Sequence, residues 1–345
     1  MLPAAQGGKD EVSLLAGLCA RVVTLTLNPT IDTAFEAEKI VPTDKIRTSD
    51  ERLDPGGGGI NVARVLVRFG VPVHALFIAG GSAGQLLDRL LEREGVERTC
   101  VPIAGETRVS VTVHEHSTGR EYRFVPEGPI LSEAEWRDCL ERIGDLDCTY
   151  FVASGSLPRG VPVDFYARLA DRLAGRSVRL VLDTSGEELK IALQRGGIFL
   201  VKPSRLELEE FAGEPLRHLD AVAAAAGRIV ASGAVENVAV TLGAEGAVLA
   251  NASGAEFMPA IAVESRSSVG AGDSFLAAIT YAFATGADAF AALRLGVAAG
   301  AAATLSPGTN LCHPEDITRL AMDEAALKGV RRFAPGASAA SAFKE

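Results

Sequence analysis

Basic charge is in short supply in this chain: 34 Lys and Arg stand against 44 Asp and Glu in 345 residues, a formal net charge of −10. That balance argues against a general nucleic-acid or anionic-membrane binder, which needs a basic face. Any anionic ligand must meet locally concentrated Lys and Arg. Cysteine is sparse too. Cys19, Cys100, Cys139, Cys148 and Cys312 are scattered, odd in number and without metal-ligand spacing, which favours free thiols in a reducing compartment over a disulfide framework. No apolar run reaches the roughly 18 residues of a transmembrane helix. The short run Val12 to Ala20 lacks the basic leader of a signal peptide and passes directly into a strand pattern. The expectation is a cytoplasmic protein with neither nucleic acid nor membrane as partner.

Several chemical signatures are also missing. No GxGxxG dinucleotide pattern and no GxxxxGK[ST] phosphate loop occurs, so nicotinamide chemistry and P-loop hydrolysis lose support. His74, His114, His116, His218 and His313 show neither triad logic nor metal spacing. His114 and His116 can share one strand face, and surface placement is the reading preferred for them.

What the chain does have is a large apolar fraction, 48%, ample for a sizeable core. Strand-like runs at Val22 to Leu27, Val73 to Ile78, Thr149 to Ala153, Arg179 to Leu182, Ile198 to Val201 and Asn237 to Thr241 alternate with helical periodicity at Ile60 to Phe69, Ser82 to Glu94, Phe165 to Leu173 and Leu219 to Val230. Repeated strand-then-helix order implies an α/β fold with a mostly parallel sheet covered on both faces. Two intervals break the rhythm. Residues 33–52 and 108–125 alternate like strands without an intervening helix, and they are expected to pair as a small separate sheet acting as a lid. Residues 1–20 read as a loosely attached extension, 21–330 as the main domain, and the Gly-, Ala- and Ser-rich 331–345 as a flexible tail.

The most informative feature is Gly270, Ala271, Gly272 and Asp273, opening the apolar helical stretch Ser274 to Phe283. A helix N-terminus with unhindered amides beside a carboxylate suits holding a phosphate while accepting a proton from its attacker. Gly56 to Gly59 and Asn61 precede another helix, either approaching a ligand or making a tight strand-to-helix connection. Asp32 follows the first strand, where a ligand group and a turn carboxylate look alike. Lys45, Arg47, Arg108, Arg120 and Arg123 fall in the two lid intervals, individually surface charges but together a candidate phosphate clamp. Ser154 to Ser156 follow a strand end. Ser204 and Glu207 after Lys202 fit a capping box. Thr241 to Gly246 fit either a nucleotide-supporting turn or a hairpin.

Taken in order, GGGGINVAR at 56–64, SGSLPRG at 154–160, VLDTSGEEL at 181–189, VKPSRLEL at 201–208, TLGAEGA at 241–247 and SSVGAGDS at 267–274 resemble the PfkB subgroup of the ribokinase-like carbohydrate kinases over about residues 21–320. The resemblance implies a three-layer α/β sandwich with a small β lid, often joined to another lid in a homodimer. It implies Asp273 as catalytic base and Gly270, Ala271 and Gly272 as anion hole. Asp32, Gly57, Asn61 and Ser156 correspond to sugar positions, Arg108 and Arg123 to sugar-phosphate contacts, and Lys45 to a residue reaching the neighbouring subunit's site. Lys202, Ser204, Glu207, Thr241, Gly243 and Gly246 map to the nucleotide side, with Glu207 acting on the metal through water. ATP and Mg2+ are the implied cofactors, with room for a monovalent cation such as K+. DPGGGGINVAR at 54–64, GREYRFVPEG at 119–128 and GVAAGAAATLSPGTNLC at 296–312 favour fructose 6-phosphate over fructose 1-phosphate or tagatose 6-phosphate, whose kinases commonly carry Lys where Gly58 stands. A catalytically silent sugar-phosphate or nucleotide sensor is the alternative from another class. One departure stands out: the family's Asn-x-x-Glu is here Ser204 to Glu207.

Overall fold

The computed structural model describes residues 21–306, 308, 310–323 and 327–335. The expected N-terminal extension and most of the expected tail lie outside these residues. The strands are β1 (Val22–Thr26), β2 (Thr30–Ala37), β3 (Thr48–Gly56), β4 (Val73–Ala79), β5 (Glu97–Pro102), β6 (Arg108–Glu115), β7 (Arg120–Phe124), β8 (Tyr150–Ser154), β9 (Arg179–Asp183), β10 (Ile198–Val201), β11 (Val235–Thr241), β12 (Gly246–Asn251), β13 (Gly254–Pro259) and β14 (Arg331–Phe333). The helices are α1 (Gly58–Arg68), α2 (Gly81–Arg93), α3 (Glu133–Ile143), α4 (Phe165–Leu173), α5 (Gly186–Arg195), α6 (Arg205–Ala212), α7 (Leu219–Ala231), α8 (Ala271–Ala284), α9 (Ala289–Thr304) and α10 (Pro314–Ala321).

Ten strands form one sheet in the order β14-β13-β12-β11-β10-β9-β8-β1-β4-β5. From β11 across to β5 every pairing is parallel, as repeated strand–helix order requires. β12 to β14 add antiparallel strands at the other edge. The expected tail therefore begins one strand too early, because Arg331–Phe333 pairs with Ala255 to Phe257. Alternation divides the core. Tyr150 and Val152 face one way with α1, α2, α8, α9 and α10, while Phe151 and Ala153 face the other with α3, α4, α5, α6 and α7. The result is three layers.

The remaining four strands pair as β3-β2-β6-β7. β2 lies parallel to β6, and the two outer pairings are antiparallel. This small sheet occupies the two intervals that lack a helix in the sequence, though β2 starts at Thr30 and β3 runs on to Gly56, wider than expected. Among the described residues no helix is long and apolar enough to cross a membrane.

Chain order reverses direction at β1. Successive strands move outward through β4 and β5, then restart at β8 on the other side of β1. Ligand sites in open α/β sheets form at such a switch point, beyond the carboxyl ends of the strands. Asn28 after β1, Ser154 ending β8 with Ser156 just beyond it, Asp183 ending β9, Lys202 after β10 and Thr241 ending β11 all fall on that edge.

Candidate active site

α8 begins where Gly270, at φ 73, takes the left-handed conformation that redirects the chain into the helix. A side chain there would also run into Leu311. The next turns are packed against α9 through glycines: a Cβ on Gly296 would come within 2.9 Å of Phe275, and one on Gly300 would touch the Ala271 carbonyl. The amides of the first turn have no partners within the helix, and its macrodipole favours a negative charge there. Asp273 sits in this turn, partly buried. Asn61 Nδ2 donates a hydrogen bond to its Oδ2 at 2.8 Å. Burial, and then the neighbouring Asp183, push the Asp273 pKa up to about 6, against the Asn61 hydrogen bond and the charge of Lys202.

Lys202 is 8% exposed and forms an ion pair with Asp183 at 3.0 Å. Ser154 Oγ donates to the other Asp183 oxygen at 3.0 Å. Burial opposes the lysine's charge, but Asp183, then Asp273 and Glu207, hold its pKa above the ordinary value. A Cβ on Gly272 would lie 3.6 Å from Lys202 Nζ, so the ammonium is beside the α8 N-terminus. Asp183 lies in the VLDTSGEEL segment, where no local signal marks it as a site residue. A carboxylate ending a strand resembles a turn cap, and its partner stands on the next strand.

The four glycines at 56–59 serve four different neighbours. A Cβ at Gly56 would collide with the Asp32 carboxylate, one at Gly58 with Ser154, and one at Gly59 with the Leu25 carbonyl and Thr26. Gly57 has φ 110 and would bring a Cβ within 2.7 Å of Thr26 Cγ2. These contacts, all to the protein's own atoms, bear out the tight strand-to-helix connection. The Gly58 contact also explains its residue type: a lysine side chain there requires Ser154 to move.

Asp32 and Ser110 are opposite one another on β2 and β6, and the Ser110 hydroxyl donates to Asp32 Oδ1. Burial raises the Asp32 pKa, with Ser110 and then Arg123 acting in the other direction. Arg123 stands on β7 one row further out, across from Thr112. Arg108 donates to the carbonyls of Pro126 at 2.9 Å and Asn28 at 2.7 Å, tying the small sheet to the end of β1. Asn28, another residue not singled out, bridges the switch point by donating to Ser156 Oγ at 3.4 Å. Lys45 is exposed in the β2–β3 connection, apart from this group.

On the β10–β11 side, Ser204 and Glu207 make the reciprocal capping box: Glu207 N donates to Ser204 Oγ, and Ser204 N to Glu207 Oε2 at 2.7 Å. Serine in place of asparagine thus keeps the helix cap, which both residue types make well. Ser204 bridges to Thr241, whose amide donates to the Pro203 carbonyl. Thr241 to Gly246 make the turn of the β11–β12 hairpin. Gly243, at φ 58, opens a single 3-10 turn and Gly246, at φ 125, closes it.

The partly buried carboxylate at a helix N-terminus and the paired lysine stand at the switch point of a ribokinase-like α/β fold. The pfkB family carbohydrate kinase model matches residues 23–316, and the chain belongs to that family. The ATP-dependent 6-phosphofructokinase isozyme 2 of Mycobacterium tuberculosis is 44% identical over 301 residues, covering 87% of this chain and 88% of the relative. A 1-phosphofructokinase of Bacillus subtilis is more distant, 32% identical over 286 residues and covering 83% and 93%. The crystal structure of phosphofructokinase-2 from Escherichia coli in complex with fructose-6-phosphate superposes with TM-score 0.83 at 38% identity, covering 88% of this chain and 98% of that one.

The raised Asp273 pKa carries a stability cost. Well below pH 3.8 the carboxyl is neutral in folded and unfolded chains alike and costs nothing. Above about pH 6 it is ionised in both, and the folded state bears the full penalty of a buried charge. Asp273→Asn is therefore expected to raise the unfolding free energy at pH 7.5 by on the order of 2 kcal/mol, seen as a higher urea midpoint, with the gain shrinking as pH falls from 6 towards 3. An unchanged or lower midpoint at pH 7.5 would contradict the burial argument.

Proposed function

We propose that this protein transfers the γ-phosphoryl group of Mg·ATP to the C1 hydroxyl of fructose 6-phosphate, giving fructose 1,6-bisphosphate and ADP. The observation that carries the reading is Asp273: a carboxylate with pKa about 6 at a helix N-terminus flanked by glycine amides. It is largely ionised at neutral pH and yet basic enough to accept the hydroxyl proton as attack proceeds. The amides of Gly270, Ala271 and Gly272 receive the negative charge on the transferring group, and Lys202 adds a fixed positive charge beside them. Asn61 orients the base. Asp32, Gly57 and Ser156 line the sugar side, with Arg108 and Arg123 directed at the sugar phosphate. Thr241, Gly243 and Gly246 support the nucleotide.

Mg2+ takes oxygen ligands and keeps much of its water shell. Asp183 and Glu207 are oxygen donors flanking Lys202, so the residues fit a metal held through water, with Glu207's free reach limited by its capping role. When bound, the ion neutralises nucleotide phosphate charge. The small sheet acts as a lid that keeps water from the phosphoryl group.

The reading is tested by ADP release with fructose 6-phosphate, fructose 1-phosphate and tagatose 6-phosphate in parallel, identifying each product. Preference for fructose 6-phosphate is expected, with Arg108→Ala raising its KM about tenfold or more and leaving that for ATP unchanged. Preference for another sugar would reassign the substrate, and nucleotide or sugar binding without any turnover would favour a sensor. Replacing Na+ by K+ in the same assay tests the monovalent cation: equal rates would remove it.

The outer face of the lid points to a homodimer. Leu53, Val111 and Phe124 share one cross-strand row with the buried Thr33 on the side away from Asp32, and Leu53 and Phe124 are 39% and 61% exposed. An apolar sheet face of this kind is covered by association. Lys45 would then reach the partner's site. Light scattering is expected to show a dimer that Phe124→Asp converts to monomer, and a monomeric parent at working concentration would remove the proposal.

A further inference from the structure

The face of the small sheet that carries Asp32 and Ser110 continues outward into a second group of side chains. In the β2–β6 register Asp32 faces Ser110, Ala34 faces Thr112, and Glu36 faces His114. His116, two residues on, returns to the same side. Its position is fixed by the backbone, since His116 N donates to the Ala37 carbonyl and Ser117 N to the Glu38 carbonyl. The turn behind it is held by Glu115, which accepts hydrogen bonds from Ser117, Thr118, Tyr122 and the Ile40 amide.

One ligand atom each from Glu36, His114 and His116 can be chosen so that all three lie within 4.8 Å of one another. His116 Nε2 is 3.4 Å from Glu36 Oε2. That Glu36 oxygen is shut off from solvent and has no hydrogen-bond partner, although buried polar atoms are nearly always satisfied. The two imidazoles meet edge to face, with ring centroids 5.5 Å apart. Ligand atoms around a tetrahedral ion with bonds of about 2.0–2.1 Å stand roughly 3.4 Å apart. Small side-chain rotations close the difference. His116 is half-exposed and His114 partly exposed, in keeping with the surface placement expected for them, which does not include the carboxylate that a neighbouring strand supplies.

We infer that Glu36, His114 and His116 form a binding site for a divalent transition-metal ion of the Zn2+, Co2+ or Ni2+ class. Two imidazole nitrogens and one carboxylate, with a remaining position for water, suit these borderline ions. They do not suit Mg2+, which prefers oxygen throughout. The site is therefore chemically distinct from the metal that accompanies the nucleotide, and it stands independently of the phosphoryl-transfer reading. It clamps β2 to β6, the parallel pair of the small sheet. Glu121 extends the row from β7, where it accepts a hydrogen bond from Ser267, three residues ahead of Gly270.

The test is calorimetric titration of the full chain, stripped with a chelator and free of nucleotide, with Zn2+ and separately with Ni2+. One equivalent is expected to bind. Loss of a direct ligand in His116→Ala or His114→Ala should weaken binding by more than the roughly 10–100-fold that loss of an outer-shell partner costs, and Glu36→Gln should weaken it in the same direction. His116 is half-exposed, so its replacement leaves the fold intact even if His114→Ala fails to fold. Absence of saturable binding to the parent would overturn the assignment. So would an isotherm that survives His116→Ala unchanged, which would place the ion at another site such as the Cys100 thiol.

Discussion

Asp32, Asp183 and Asp273 converge with Lys202 on one edge of the large sheet, and the rest of the molecule is arranged to withdraw these charges from water without leaving them unbalanced. Four groups of this kind are costly to bury singly. The Lys202–Asp183 pair at 3.0 Å absorbs one positive and one negative charge, and Ser154 satisfies the second Asp183 oxygen. Ser110 does the same for Asp32. Asp273 receives only Asn61 and the more distant pull of Lys202, which is why burial dominates its pKa. The imbalance that destabilises the fold at neutral pH is the property on which the proposed role of the carboxylate as a base rests.

The glycines follow from the same constraint. α1 must lie close enough to β1 and β8 for Asn61 to reach Asp273, and contacts to Leu25, Thr26, Ser154 and Asp32 leave no room for a Cβ at positions 56–59. α8 must start abruptly so that its free amides and Asp273 are presented at the same edge, and Gly270 makes that turn. The small sheet is attached to this edge through Arg108, which donates to Asn28 at the end of β1.

How much of this is readable from sequence depends on how local each feature is. The Ser204–Glu207 capping box spans four residues and is legible in full. The α8 start is legible because a glycine pair, an acid and an apolar helix are adjacent, and Lys202 because it ends an apolar strand. Asp183 is not, since its meaning comes from Lys202 on the neighbouring strand and Asp273 some ninety residues away. Asn28 and the histidine–Glu36 group fail for the same reason: strand pairing between β2 and β6 supplies the contact. Among elements, β12 escapes the alternation test because both of its faces are largely buried, which erases the period of two. β14 is too short to announce itself, and it becomes a strand only by pairing with β13.

The most direct test of the account is the pH dependence of kcat/KM for sugar phosphorylation, measured for the parent and for Asp273→Asn. A base whose pKa burial has raised to about 6 predicts an acid limb near that pH in the parent, and in the folded variant a loss of most turnover across the range. Rates that persist in the variant, or a parent profile flat down to pH 4, would contradict the role assigned to Asp273.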